Sequence, residues 1–261
     1  MLKSLIFYIY LLRMSIRASI SRRGAFLIEA VLMIANNMVF FAVWWIFFRQ
    51  FNSIDGWTLD DMIALTAVGI GAYGLSLVCF GGTKDLAQMI TSGDIDPFMT
   101  QPKNLLLHLI GSKSRAKGWG HLATSAIMIY LGGLVAPLTL LLIAVGQLTG
   151  CIVFVSVAII AHSLPFWMGA VEGLSKKYCD ALFLFALYPT NIYSGVLQLV
   201  MFTVIPAGVI SFIPVELIRD FSWNYLAWLL ASAAAIAVAA VFIFHAGLRR
   251  YESGNQFGLR R

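Results

Sequence analysis

Apolar runs of roughly 20 residues recur six times in this chain, and they fix its solvent before any motif is considered. A helix of about 20 such residues crosses the hydrocarbon of a bilayer, and there only helices or closed barrels satisfy their own backbone. Period-2 alternation is absent, so the runs predict helices. They cover about 25–48, 62–80, 118–136, 138–162 (with an extension toward 168), 181–210 and 225–244. Composition agrees: 60% of the 261 residues are hydrophobic and 11% are charged, where a soluble domain carries roughly a quarter charged. No soluble domain fits between the runs. The expectation is therefore one all-α transmembrane domain over 1–261, with a six-helix membrane region at 25–244 and a basic tail at 245–261.

Lysine and arginine orient it. With both termini cytoplasmic, sixteen of the 18 Lys and Arg fall on the inner segments and only Arg49 and Arg219 lie outside. Short loops retain their positive charge on the cytoplasmic side. The outer loops carry Asp55, Asp60, Asp61, Glu216 and Asp220 instead. Cys79, Cys151 and Cys179 are odd in number and widely spaced, mostly inside apolar runs. They suggest small core residues, not a disulfide framework or a zinc site.

Residues 1–23 form their own pattern. Lys3, Tyr10, Arg13, Arg17 and Ser21 fall on one stripe at helical spacing, with Leu2, Leu5, Ile6, Ile9, Leu12 and Ile16 off it. That predicts an amphipathic helix lying among the cytoplasmic headgroups. Arg13 and Arg17 interrupt the apolar stretch and no small-x-small cleavage site follows, which argues against a signal peptide.

The one long polar interval is 81–117. It holds Lys84, Lys103, Lys113, Arg115 and Lys117, with Gly93, Asp94, Asp96, Pro97 and Pro102 clustered at its middle. Asp94 or Asp96 is expected to cap a helix beginning at Pro97, a favoured first-turn residue. Asn104 to Ile110 then offers an apolar face returning to the membrane.

Catalytic patterns are missing. No GxxxxGK[ST] occurs, and the fragment Gly111-Ser112-Lys113-Ser114 lacks the second glycine, so no P-loop is expected. There is no HExxH, and His108, His121, His162 and His245 fall on different elements. Gly69, Gly71 and Gly74 spell GxGxxG inside the second run, without the strand–helix context of dinucleotide binding. There small residues let helices approach closely.

Polar groups inside the runs are few: Glu29, Asn36 and Asn37 in the first are the most notable. An intramembrane acid is a functional candidate, but Glu29 also lies one turn or two past Arg22 and Arg23 and can reach headgroups or pair with them. Asn36, Asn37 and the Pro189 region are expected to line a cavity or helix interface and not face lipid. The fifth run is irregular, with Pro189, Asn191, Ser194 and Pro206, and Pro214 follows. The stretch 203–215 reads either as a re-entrant or interfacial segment on the outer face, or as a helix end and a hydrophobic loop.

Three features together resemble the membrane subunits of ABC-2 type exporters, specifically short six-span bacterial permeases. They are the basic amphipathic helix before the first run, the loop sequence MITSGDIDPFMTQPKN, and the ending GLRRYESGN. Gln101 stands before Pro102, where the family often has a basic residue. The resemblance implies a coupling helix between spans 2 and 3, built around Gly93, Asp94, Asp96, Pro97 and Pro102, which docks on a separate cytoplasmic ATPase subunit. It implies ATP and Mg on that partner with no cofactor or catalytic residue here, and a second permease, identical or related. It further implies a multi-pass place in the bacterial cytoplasmic membrane, among membrane lipid and with no nucleic-acid partner. Two other classes stay open on the residues alone. One is an ion-coupled secondary transporter centred on Glu29, though no inverted repeat is visible. The other is a membrane-embedded enzyme of lipid metabolism, for which Asp94 with Asp96 alone is thin.

Overall fold

The computed structural model describes residues 2–251. Glu252–Asn255 of the ending, Arg260, Arg261 and the Lys3 side chain lie outside the described residues. The described chain is helical, and its single β-type contact is an isolated bridge between Ile54 and Trp57.

α1 (Leu2–Ser21) and α2 (Arg23–Gln50) meet at a bend at Arg22, whose φ and ψ of −90° and 65° leave the helical region. α3 (Leu59–Cys79) follows. Its start is fixed by Thr58, whose backbone N–H and hydroxyl both donate to the Asp61 carboxylate, at 2.8 and 2.9 Å. A 3-10 turn (Gly81–Asp85) leads to α4 (Leu86–Ser92), α5 (Asp96–Met99) and α6 (Leu105–Gly111). α7 (Ala116–Leu131) and α8 (Pro137–Ser163) form the next pair, and α9 (Pro165–Met168) extends α8 by one turn. α10 (Glu172–Phe185), a 3-10 turn (Thr190–Ile192), α11 (Val196–Phe202), a π-helical turn (Gly208–Phe212) and α12 (Ile213–Arg219) form a broken hairpin before α13 (Trp223–Leu248).

Among the described residues, four helical stretches are long and apolar enough to cross a membrane: Arg23–Gln50, Leu59–Cys79, Pro137–Met168 and Trp223–Leu248. They carry the first, second, fourth and sixth apolar runs. The third run is shorter as a helix than its apolar length predicts. α7 has 16 residues, about 24 Å at 1.5 Å per residue. Gly132 and Gly133, the latter at φ +61°, stop it, and Pro137 restarts the chain in the first turn of α8.

The fifth run is not one helix. α10 ends at Phe185, Pro189 adopts extended ψ of 131°, and Gly195 takes φ +60°. Both are conformations that a continuing helix excludes. The chain then doubles back, so that the Tyr178 hydroxyl on α10 donates to the Val204 carbonyl. From there the 203–215 stretch is mostly helical and its later part is packed, correcting the alternative of a hydrophobic loop. Ala207, Val209, Ile210 and Val215 are buried. A Cβ at Gly150 would meet the Ile210 side chain at 3.3 Å, and one at Gly146 would meet Pro214 at 2.8 Å. Apolarity here reflects burial against α8.

α3 is the most enclosed helix, packed on α7 and α8, whereas α2 leans mainly on α7. The GxGxxG glycines serve the contacts of α3. A Cβ on Gly74 would lie 2.9 Å from the Gly118 carbonyl, and one on Gly118 would lie 2.9 Å from the Gly74 carbonyl. The backbones of α3 and α7 touch there, which a side chain on either glycine would prevent.

Candidate functional site

The 81–117 interval folds as a compact cap on one end of the bundle. Leu86, Ile90, Ile95, Leu106, Leu109 and Ile110 bury against Cys151, Val155 and Ile159 of α8 and Ala240 and Phe244 of α13. Its own ends are tied by charge. Asp85 receives Lys113 Nζ at 2.7 Å and Arg115 at 2.6 Å, and Arg115 Nε donates to the Gly81 carbonyl at 2.9 Å. Burial pushes the Asp85 carboxyl up, but the Lys113 hydrogen bond and the two cations outweigh it and hold the group below its ordinary range.

Gly93 ends α4 in the left-handed region at φ 81°, a conformation glycine adopts without a Cβ penalty. Ile95 then plugs into the core with no exposed surface, leaving Asp94, Pro97, Met99, Gln101 and Pro102 exposed at the tip. The expected helix at Pro97 is a single turn, α5, with Pro97 in its first turn.

The acids do not cap it. The residue preceding α5 is Ile95, with no side-chain cap bond. Asp94 instead accepts from the Ser92 hydroxyl at 2.6 Å, and Asp96 from the Tyr251 hydroxyl at 2.8 Å. The N–H groups a cap would take are already used, Asp96 on the Gly93 carbonyl and Phe98 and Met99 on that of Ile95, and Pro97 has none. The true cap is Asn104, which accepts from the Leu107 N–H at 3.0 Å at the start of α6.

Two groups beside the cap were not legible as part of it. Tyr251 follows α13, and burial, then its bond to Asp96, pushes its phenol up, so that it stays a donor. The Tyr8 hydroxyl of α1 donates to the Cys79 carbonyl at 2.8 Å, and its ring stacks on Phe80 at 5.5 Å. His108 sits edge-on between Phe7 and Phe98, with ring centroids 5.2 and 4.8 Å away. Burial, then Lys103, holds it below its ordinary value and therefore neutral at pH 7. The amphipathic α1 thus packs across the loop with one face while Ile6, Ile9 and Met14 stay exposed on another.

A second polar group lies inside the bundle. Asn37, 3% exposed, places Nδ2 at 3.1 Å from His121 Nδ1 and donates to Thr124 Oγ1 at 3.1 Å. Nearby, Gln147 Nε2 donates to Ser125 Oγ at 2.9 Å and to the Ala67 carbonyl at 3.2 Å. Tyr73 stacks on Phe183 at 4.0 Å and meets His121 at 5.2 Å. Lys84 closes the loop side of this group, 5.4 Å above the Tyr73 ring and 3.7 Å from Asp180. Asn36 is exposed and does not join it, Glu29 is exposed nearer the start of α2, and Pro189 is buried. Gln147 was findable, as an amide inside an apolar run. His121 was not, since its partner stands 84 residues away.

At the opposite end Arg219 binds Asp61 at 3.3 Å and Glu216 at 3.0 Å, and donates to the Gly56 carbonyl at 2.9 Å. It ties α12 to the start of α3. Cys151 and Cys179 are buried and, like Cys79, free. Among the described residues no group of three or more His, Cys, Asp or Glu could hold a metal.

Apolar helices long enough to cross a membrane, with a folded polar cap on one end of the bundle, define a multi-pass membrane protein. Residues 32–255 match the sequence family described as ABC-2 family transporter protein. The chain belongs to that family and is a membrane permease. No curated protein sequence matches it.

Proposed function

We propose that the chain is the permease of an ATP-driven exporter whose energy enters through the 81–117 cap. The exposed tip, Asp94, Pro97, Met99, Gln101 and Pro102 on a scaffold anchored by Ile95, carries this reading. Rigid anchoring beneath an exposed polar tip suits an element that receives force from a soluble partner. On this reading Gly93, Asp94, Asp96, Pro97 and Pro102 contact a separate cytoplasmic ATPase holding ATP and Mg. A second permease, identical or related, completes the pathway. The loop end and both termini face the cytoplasm of a bacterial cell. α7 and the α10–α12 hairpin supply the remaining two of six crossings, the hairpin in broken form. The polar group around Asn37, His121 and Tyr73 marks the interior side of the helices. The apolar bundle favours a hydrophobic or amphipathic cargo.

The test reverses both acids, Asp94→Lys with Asp96→Lys. Insertion should persist, because the spans are untouched, while co-purification of the ATPase and transport-stimulated ATP hydrolysis fall sharply. Normal binding to an identified ATPase together with normal transport would show the cap to be passive. Cysteines at Ser53 and Asp60 should label from outside and one at Ser114 from inside. External labelling at Ser114 inverts the orientation.

A further inference from the structure

A cavity of about 550 Å³ opens where α1 bends into α2 and the loop enters α7. Its wall carries Arg22, Lys113, Arg115 and Lys117 against the single acid Glu29. Lys113 and Arg115 already share Asp85, whereas Arg22 and Lys117 make no ion pair among the described residues. Asp85 and Glu29 leave two of these four cations in excess, and an added anion would offset their repulsion. The Ser114 hydroxyl, also on this wall, is a buried oxygen without a hydrogen-bond partner. Guanidinium, ammonium and hydroxyl donors around one space are the groups that bind a phosphate.

The position selects the source of that phosphate. Arg22 immediately precedes α2, and Lys117 lies in the first turn of α7, so the cavity sits at the end of a membrane-crossing helix. Ile28 and Leu32 follow the lining residue Ala25 along one flank of α2, are 61% and 63% exposed, and offer an apolar track away from the cavity. A free anion has no use for such a track; an acyl chain does. We infer that the cavity binds the phosphate of an anionic phospholipid from the leaflet on the loop side, its acyl chains lying along α2. Binding of this kind would hold the bend between α1 and α2 and the entry of α7 to one lipid.

The test is native mass spectrometry of the purified chain from micelles holding equal phosphatidylglycerol and phosphatidylcholine. The wild type should retain phosphatidylglycerol with roughly tenfold preference, and Arg22→Gln with Lys117→Gln should lose about as much. Arg249→Gln with Arg250→Gln removes the same charge outside the cavity and should retain the lipid. The charge-preserving Arg22→Lys with Lys117→Arg guards against misfolding and should retain most of it. Equal loss in both charge-removing pairs would reduce the effect to diffuse surface charge and overturn the site. So would equal retention in wild type and Arg22→Gln with Lys117→Gln. Adducts of added inorganic phosphate without a phosphatidylglycerol adduct would reassign the cavity to a free anion and overturn the lipid. None of these outcomes involves an ATPase, so the site and the proposed exporter function stand or fall separately.

Discussion

The Tyr251 hydroxyl donates to the Asp96 carboxylate across 155 residues of chain, at 2.8 Å. Two sequence motifs that are far apart, the GDIDP of the loop and the RRY that follows the last helix, are therefore one structural unit. Tyr251 also meets Phe166 of α9 edge-on at 6.0 Å, so the joint has an apolar side as well as a polar one.

Tyr251→Phe retains the ring and deletes the donor. It should cost about 1 kcal/mol of local stability, the usual net worth of such a bond, and raise amide exchange in 93–104. Unchanged exchange across the tip would mean that the tip is held by Ile95 alone.

Asn37 and Asn36 are adjacent, and their substitutions should differ. Asn37→Leu strips His121 and Thr124 of a buried partner and should destabilise the bundle by roughly 0.6 to 2 kcal/mol, the range for interhelical hydrogen bonds in membranes. Transport or assembly should fall with it. Asn36→Leu, on the exposed side, should leave the thermal midpoint of the monomer within error. Equal midpoints for both variants would show that the Asn37 contacts carry no net stability.

Gly74→Ala or Gly118→Ala inserts a methyl 2.9 Å from a backbone carbonyl, which a rotamer change cannot relieve. Overpacking of this kind costs about 1–3 kcal/mol. Each variant should unfold at lower temperature in detergent, and Gly173→Ala, where a Cβ meets nothing within 4 Å, is the matched control.

Asp85 sets an acid limit on the cap. Its folded carboxyl titrates below the ordinary value of 3.8. A depressed carboxylate contributes its stability above the unfolded value and loses it as pH falls through the folded one. Protease resistance of the cap should therefore hold at neutral pH and decline only in strong acid. Asp85→Asn should show lower resistance at pH 7 and little of that acid dependence.

The sequence made the environment and the long helices readable, because length and apolarity alone define α2, α3, α8 and α13. It overran the helix of the third run and left the path of the fifth open for a shared reason. Hydropathy reports what surrounds a segment, not whether the backbone continues through Gly132-Gly133, Pro189 or Gly195. The 203–215 stretch is apolar because α8 covers part of it. The loop was identifiable as a folded unit from its glycine, prolines and charges, but the partners of Asp94 and Asp96 were not. Capping is a local rule, whereas the Asp96 bond comes from the opposite end of the chain. The Asn37–His121 and Gly74–Gly118 contacts are likewise pairings that no local spacing encodes.

The Gly74–Gly118 crossing stiffens the base of the cap. The cap leaves the end of α3 and returns at the start of α7, so a pull on it acts on both helices. Where side chains separate two helices, such a pull can wedge them apart by shifting rotamers. Here backbone rests on backbone at the third residue of α7 and five residues before the end of α3. No soft layer exists to absorb the displacement. On the proposed coupling role the two helices would travel as one stiff lever, carrying a push on the tip toward the start of α3, where Arg219 ties it to α12.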